Sequence, residues 1–483
     1  MGAVTVGEVG TSASRSGSNG QLRALLSMMG VALLLNYVET MVIPGVPTIQ
    51  KDFATTSSLV SWVTSAFLIV GSAVAPLLGK LGDNYGKKRI FLLALVFYTA
   101  GVGLAGFSNS IYFLIVARAI QGIGFAIVPL ALAIIAETFP RERIATAQGA
   151  ISATFAIGAA AGLVVGAYII QYAGWQWAFH SAFVLSVVLF IVVARFLPKG
   201  SPGTRLKVDY GGTVLLMAGV SLVLLYLTEA PYEGWYAPYN LAALVAGLVL
   251  TVSFFIAESR RDNPLIQLKL LRVRNVLVAN GVGVISGLSM FLLFFALTYY
   301  TQLPVAFGGL GLSIISAGLT IAPATVLMLV VGPLLGKMVS KVGPKPTMIL
   351  GAFIAIVGTS LFLVNRSTAL DVTIDAAISL AGAVSIIIPI VNMVTVSLPR
   401  ENVATGLGLN TMLRNIGGAL GPVLATTIMS TYTLNLPKGV SPPGVSVPSS
   451  AAFDYIFYLG IACLALAVLL SLAAKNYTFG KKS

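Results

Sequence analysis

Pro76-Leu77-Leu78-Gly79-Lys80-Leu81-Gly82-Asp83-Asn84-Tyr85-Gly86-Lys87-Lys88-Arg89 is the stretch that decides the fold. Its first five letters return as Pro333-Leu334-Leu335-Gly336-Lys337, and its Gly86 returns as Gly343, both displaced by 257 residues. A second match follows downstream. Pro140-Arg141-Glu142, Ala145-Thr146 and Gly149 return as Pro399-Arg400-Glu401, Ala404-Thr405 and Gly408, displaced by 259. The same displacement carries Gly158 and Gly162 onto Gly417 and Gly421. Two copies of one unit predict two halves of like topology.

Both copies are set in apolar sequence. Of 483 residues 57% are hydrophobic and only 9% charged, with a mean hydropathy of +0.95. A soluble chain of this length needs a far more charged surface, so the expected solvent is lipid. Fourteen apolar runs can be marked: 22–46, 59–79, 90–107, 111–136, 145–172, 177–197, 209–228, 240–257, 276–300, 312–335, 347–364, 374–396, 403–431 and 453–474. Each is near the ~20 residues that a helix needs to cross the hydrocarbon core. Barrel strands would alternate polar and apolar residues over ~10-residue segments, and no such alternation is seen. The sequence therefore predicts an all-α membrane protein with 14 transmembrane helices.

Basic residues orient it. With the N-terminus inside, 24 of the 29 Lys+Arg fall in inner loops and tails. Lys51, Arg366 and Lys438 fall outside, and Arg118 and Arg414 lie within spans. This is the positive-inside asymmetry of a multi-pass protein in the cell membrane with both termini cytoplasmic. It also accounts for the net charge of +14 without invoking nucleic acid. The expected organisation is a disordered tail (1–21, Ser/Gly-rich and unlike a cleaved signal), a six-helix bundle (22–197), and an inserted two-helix hairpin between basic linkers (198–274). A second six-helix bundle (275–474) and a short tail (475–483) complete it. Parallel repeats of this kind are related by an axis along the membrane normal.

From Gly79 to Arg89 the loop between spans 2 and 3 resembles, almost letter for letter, the signature loop of the major facilitator superfamily. Arg118-Ala-Ile-Gln121-Gly122-Ile-Gly124 resembles a second motif of that superfamily. Six plus two plus six spans resembles its fourteen-span drug:proton antiporter family. The resemblance implies export of small lipophilic, possibly cationic, compounds in exchange for protons by alternating access. One departure stands out. The antiporter motif of span 5 reads Gly-x-x-x-Gly-Pro-x-x-Gly-Gly, whereas here Gly158-Ala-Ala-Ala-Gly162 is followed by Leu163 and Gly166 by Ala167. Family experience links the Gly-Pro pair to antiport, so a proton symporter or uniporter for a small polar nutrient is the alternative. The second half keeps Gly421-Pro422, and the spaced Gly158, Gly162 and Gly166 would still allow close helix packing.

The candidate chemistry is sparse. Glu39 alone among the acids lies well inside a span, seven residues or ~10 Å from Val46. An uncompensated charge there costs roughly 2.5–3.5 kcal/mol, so it should face a cavity, a partner or a proton. Arg118 lies at a matching depth, seven residues from Ile111, and the resemblance places both of their spans on the central cavity. A proton-coupling pair and a static structural ion pair are both open. Gln121, one turn on, is a candidate for binding substrate or holding the arginine. Arg414 has Phe155 as its repeat counterpart, and either binds an anionic substrate group or snorkels to the inner surface.

Asp83, with Gly79, Gly82, Gly86, Lys87, Lys88 and Arg89, is read as a cytoplasmic gating loop whose acid approaches the start of span 13 near Val403. The plain alternative is a loop that only fixes topology. His180 is expected to pack or to sit at an interface, Trp175 and Trp177 to anchor at an interface, and Asp375 is the fallback proton carrier. One Cys (Cys463) and one His leave no material for a metal site, a disulfide or a Cys/His catalytic pair. No phosphate-binding loop is found. No cofactor and no enzymatic activity are expected. The expected partners are a small-molecule substrate, protons and the bilayer, in a monomer.

Overall fold

The computed structural model describes residues 18–198, 209–261, 264, 267–434 and 447–477. The expected tails (1–21 and 475–483) and first linker therefore fall largely outside the described residues. All regular structure among those residues is helical, with one isolated bridge between Thr433 and Pro448. The first half comprises α1 (Ser18–Met41), α2 (Val46–Asp52), α3 (Ser57–Tyr85), α4 (Lys87–Gly106), α5 (Ile111–Gly122), α6 (Ile127–Thr138), α7 (Arg141–Ala161), α8 (Ala167–Ala173) and α9 (Trp175–Phe196). The insert is α10 (Tyr210–Glu233) and α11 (Pro238–Arg260). The second half comprises α12 (Arg274–Gln302), α13 (Ile314–Val342), α14 (Pro344–Val364), α15 (Ala369–Ser397), α16 (Arg400–Thr431) and α17 (Ser450–Leu472).

Short tight or loose turns join several of these pieces into single rods. A 3₁₀ turn at Ile43–Gly45 links α1 to α2, another at Ile123–Ala126 links α5 to α6, and a π-helical turn at Gly162–Gly166 links α7 to α8. Twelve of the resulting helices are long and apolar enough to cross a membrane. α13 and α16 occupy two further expected span positions, but neither meets that measure over the described residues. α16 carries Asn402, Asn410, Arg414 and Asn415 on one rod, and α13 shows a shorter apolar stretch, Ile314–Leu327.

Packing repeats with the sequence. In the first half α1 packs on α7 and α9, α3 on α5, and α4 on α9 and α5. In the second, α12 packs on α16 and α17, α13 on α15, and α14 on α17 and α15. Glycines set the register. A side chain at Gly158 would meet the Leu33 carbonyl oxygen at 2.5 Å, and one at Gly162 the Tyr37 oxygen at 2.4 Å and Met41 nitrogen at 2.9 Å. At Gly417 it would meet the Val284 oxygen at 2.0 Å, and at Gly421 the Leu288 oxygen at 2.8 Å and Leu292 nitrogen at 2.6 Å. Leu33, Tyr37 and Met41 are each displaced by 251 from Val284, Leu288 and Leu292. Backbone contact thus superposes α1 on α12 in a register that the divergent sequence of those helices conceals. Gly166 extends the first seam to Met41 (2.4 Å to Cβ).

Between the halves α3 lies against α16, and α13 against α7 and α8, two contacts that exchange under the same repeat. The insert does not stand apart from this seam. α11 is largely exposed, but α10 packs on both α3 and α16. Trp62 donates to Thr228 (2.9 Å), Thr427 to the Leu227 carbonyl (2.9 Å), and Tyr232 and Ser430 share a bond of 2.7 Å. The inserted hairpin therefore touches both halves through α10.

Candidate functional site

The loop quoted at the outset is built by its glycines. α3 ends at Gly86, whose φ of 95° suits a residue without a side chain, and Gly343 ends α13 at φ 92°. Gly82 leaves room for Leu130, while Gly79 faces open space. Lys87, the first residue of α4, pairs with Asp83 at 2.9 Å and also with Glu137 of α6. Lys88 caps the end of α9 through the carbonyls of Ala194 (2.9 Å) and Leu197 (2.6 Å). Arg89 is exposed. Asp83 is about half exposed and engaged within its own half, so the structure does not bring it to the start of α16. The cluster fastens α3, α4, α6 and α9 together at the end of the bundle where the α3–α4 loop lies.

At mid-depth the first half encloses a cation. Arg118 is fully buried; its Nε donates to the Val63 carbonyl (2.8 Å), its Nη1 to Gln121 Oε1 (2.7 Å), and its guanidinium lies 4.6 Å from the Phe67 ring centroid. Gln121 is equally buried, held where its backbone meets Gly101 of α4. Two donors are left over: Arg118 Nη2 and Gln121 Nε2 are buried without partners, as is the Thr64 hydroxyl nearby on α3. Leaving buried donors unmet costs about 1–3 kcal/mol each. The Tyr98 hydroxyl lies beside the Gln121 amide, and in this corner nothing among the described residues accepts from Arg118 Nη2.

Glu39 approaches it without filling it. It lies on α1, one turn below the Ile43–Gly45 break, partly exposed, and makes no ion pair or hydrogen bond among the described residues. The expected direct pair with Arg118 is not formed, because Val63, Gln121 and Phe67 already hold the guanidinium on three sides. Two cations nevertheless act electrostatically on Glu39: Arg118 from its own half and Arg414 from the other. From sequence, Arg414 could bind an anionic substrate group or snorkel to the inner surface. In the structure it lies where α16 crosses α12 at Gly287, lining a pocket with Ser286, Met290, Phe291, Ile387 and Asn415. By the 251 displacement Met290 is the counterpart of Glu39. The acid is unique to one half and the extra cation to the other.

Away from this centre, Trp175 is buried with its Nε1 donating to Asp52 (3.0 Å) and its ring beside Phe53, correcting its expected interfacial position. Trp177 is exposed. His180 packs between Phe107 and Trp177 against Gly106. Hydrogen bonds tying the halves gather at the end opposite the α3–α4 loop: Tyr299 to Gln50 (2.7 Å), Gln302 to the Pro44 carbonyl (2.9 Å), and the Ile315 N–H to Gln171 (3.0 Å). Ser57 and Ser58 meet Ser430 (3.1 and 3.2 Å), and Ser65 reaches the Ala419 carbonyl (2.8 Å). Sequence alone offered no signal for these bonds, since each joins residues ordinary in their own helices.

Two helical bundles in pseudo-symmetric contact, with twelve helices among the described residues long and apolar enough to cross a membrane, have the architecture of a multi-pass membrane protein. The chain belongs to the major facilitator superfamily, whose family model matches residues 28–422. It is similar to the multidrug transporter MdtP of Bacillus subtilis, at 25% identity over 88% of this chain and 78% of the relative. It is also similar to the tetracenomycin C resistance and export protein of Streptomyces glaucescens, at 24% identity over 86% and 77%. Among solved structures, the nucleoside transporter NupG superposes with a TM-score of 0.63 at 12% identity, covering 94% of this chain and 99% of that one. That likeness shows the fold alone.

Proposed function

We propose that this protein is a fourteen-span exporter in the cell membrane, with both termini cytoplasmic, acting as a monomer without a cofactor. It moves small lipophilic compounds outward in exchange for protons. Counting α13 and α16 with the twelve strongly apolar helices gives the fourteen. The similarity to proteins named for multidrug transport and tetracenomycin C export supports the substrate class.

The observation that carries the reading is Glu39. An acid at membrane depth with no partner among the described residues, acted on by one cation of each half, is poised to exchange a proton for contact with a cation. The unfilled donors Arg118 Nη2 and Gln121 Nε2 are where its carboxylate would go once the proton leaves. The bonds gathered toward the outer ends fit a conformation shut to the outside. Asp83, paired here with Lys87, would serve as a gate toward α16 in the opposite conformation.

In proteoliposomes with an imposed pH gradient, Glu39→Gln is expected to abolish uphill accumulation of a lipophilic cationic dye while leaving energy-independent dye exchange intact. Uphill transport by that variant would remove Glu39 from the coupling. The second reading, symport or uniport of a polar nutrient, is favoured by Leu163, which is buried in the π-helical turn where the antiporter motif has proline. Counterflow with sugars, nucleosides or amino acids, and none with dyes, would select it.

A further inference from the structure

The second half holds a buried acid that the centre around Glu39 does not use. Asp375 lies on α15, six residues or ~9 Å in from Ala369 at the outer end. Only 5% of it is exposed, and its Oδ2 is buried without a hydrogen-bond partner. One turn outward Asp371 is fully occupied as a helix cap, accepting from the Thr368 backbone (2.9 Å) and hydroxyl (2.8 Å). It is a like charge acting on Asp375. One turn inward, on the same face, Ser379 shares a 2.8 Å hydrogen bond with Thr359 of α14. Those two hydroxyls line a pocket between α12, α14, α15 and α17 with room for one water molecule. Ser289 of α12 also lines it, 93% buried with its hydroxyl unpartnered.

Among the described residues, no cation pairs with Asp375 from the helices around it. On α13 and α14 the charges are Lys337, Lys341 and Lys345, at the cytoplasmic ends. On α12 they are Arg274 at the cytoplasmic start and, at the outer end, the hydroxyls of Tyr299 and Tyr300, already bound to Gln50 and the Arg366 carbonyl. On α16, Arg400 and Glu401 begin the helix and Arg414 acts on Glu39. The nearby outer ion pair, Arg366 with Asp454 (2.6 Å), is closed on itself. A buried carboxylate with a like charge one turn away, and without a counter-ion, is far costlier than the neutral acid.

We propose that Asp375 is a second proton-binding site, lodged in the C-terminal bundle, whose protonated carboxyl donates toward the Ser379 hydroxyl one turn inward, beside the pocket that Ser379, Thr359 and Ser289 line. Thr359 itself donates to the Ala355 carbonyl (2.8 Å). A monovalent cation is the weaker occupant, because one carboxylate and three hydroxyls give too few oxygens for a dehydrated ion. The site neither needs nor implies a coupling role for Glu39.

Infrared pH-difference spectra of the reconstituted full-length protein test it directly. The protein should show a protonated-carboxyl band that survives Glu39→Gln and Asp371→Asn, disappears in Asp375→Asn, and shifts in frequency in Ser379→Ala. The shift in Ser379→Ala, which removes one exposed-to-pocket hydroxyl and little volume, keeps the test meaningful should Asp375→Asn fold poorly. A spectrum unchanged in both Asp375→Asn and Ser379→Ala would overturn the proposal, as would loss of the band on adding sodium chloride at constant pH.

Discussion

Arg118 shows how a single side chain is spent in this protein. Its guanidinium is held by a carbonyl, an amide and an aromatic face, and one nitrogen remains unpaired in the interior. Arg118→Lys keeps the charge but loses the planar fork, so neither Val63 nor Gln121 can be held together with Phe67. We expect it to lower the melting temperature of the purified protein and to reduce uphill transport at least tenfold, a loss of about 1.4 kcal/mol. Transport and melting equal to the wild type would show that only the charge matters there.

Asp83 is the contrasting case. Its ion pair with Lys87 is half exposed, and such pairs contribute ~0–1 kcal/mol. Asp83→Asn should leave the melting temperature within a degree or two while slowing turnover. Unimpaired turnover would leave the loop a structural clasp alone. A third residue, Gly86, holds φ at 95°. Gly86→Ala should cost on the order of 1–3 kcal/mol, read as a drop in thermal stability, where substitution at the open Gly79 should not.

At the scale of elements, the two glycine seams are the repeat made physical. α7 on α1 and α16 on α12 touch backbone to backbone, which needs residues without side chains at 158, 162, 417 and 421. Gly162→Val and Gly421→Val should each cause loss of folded protein on size-exclusion chromatography, since the obstructing atoms are main-chain and cannot rotate away. Pro422, beside the second seam, lies inside α16, and Leu163 at the matching place of the first lies in a π-helical turn. Both devices disturb regular α-helical bonding at one level of the bundle, by different means. Gly162→Val folding normally would show that α1 and α7 can separate without penalty.

For the whole molecule, the bonds between the halves at the end opposite the α3–α4 loop would hold one of the two states of the proposed alternating-access cycle. In a Cys463→Ser background, Ser57→Cys with Ser430→Cys should form an oxidative cross-link that arrests transport and is released by reductant; free transport in the cross-linked protein would contradict rocking of the halves about this seam. Orientation has its own check. A cysteine at exposed Asn109 should react with an impermeant reagent from outside intact cells and one at exposed Ser340 should not, and reversed labelling would invert the topology. α10, which touches both α3 and α16, must slide against at least one of them if the halves rock.

The sequence by itself determined the all-helical membrane class, the positions of the helices and the presence of two related copies. These rest on hydrophobic length, on the polarity of loops and on letters that recur at fixed spacing, all of which are local properties of the chain. It also singled out Glu39, Arg118 and Gln121, because charged and amide groups are conspicuous in apolar surroundings. Only tertiary structure decided what those groups touch. Arg118 is satisfied by Val63 and Phe67, residues that nothing in the sequence distinguishes, and is therefore not paired directly with Glu39. Arg414, 375 residues away in the chain, acts electrostatically on the same acid from the other half. The 251 register of α1 on α12 is written in main-chain contacts that leave the facing side chains free to diverge. Ser289, Ser379 and Thr359 come together only because α12, α15 and α14 converge there, with Asp375 one turn from Ser379 on α15, and no spacing along the chain encodes that meeting of three helices.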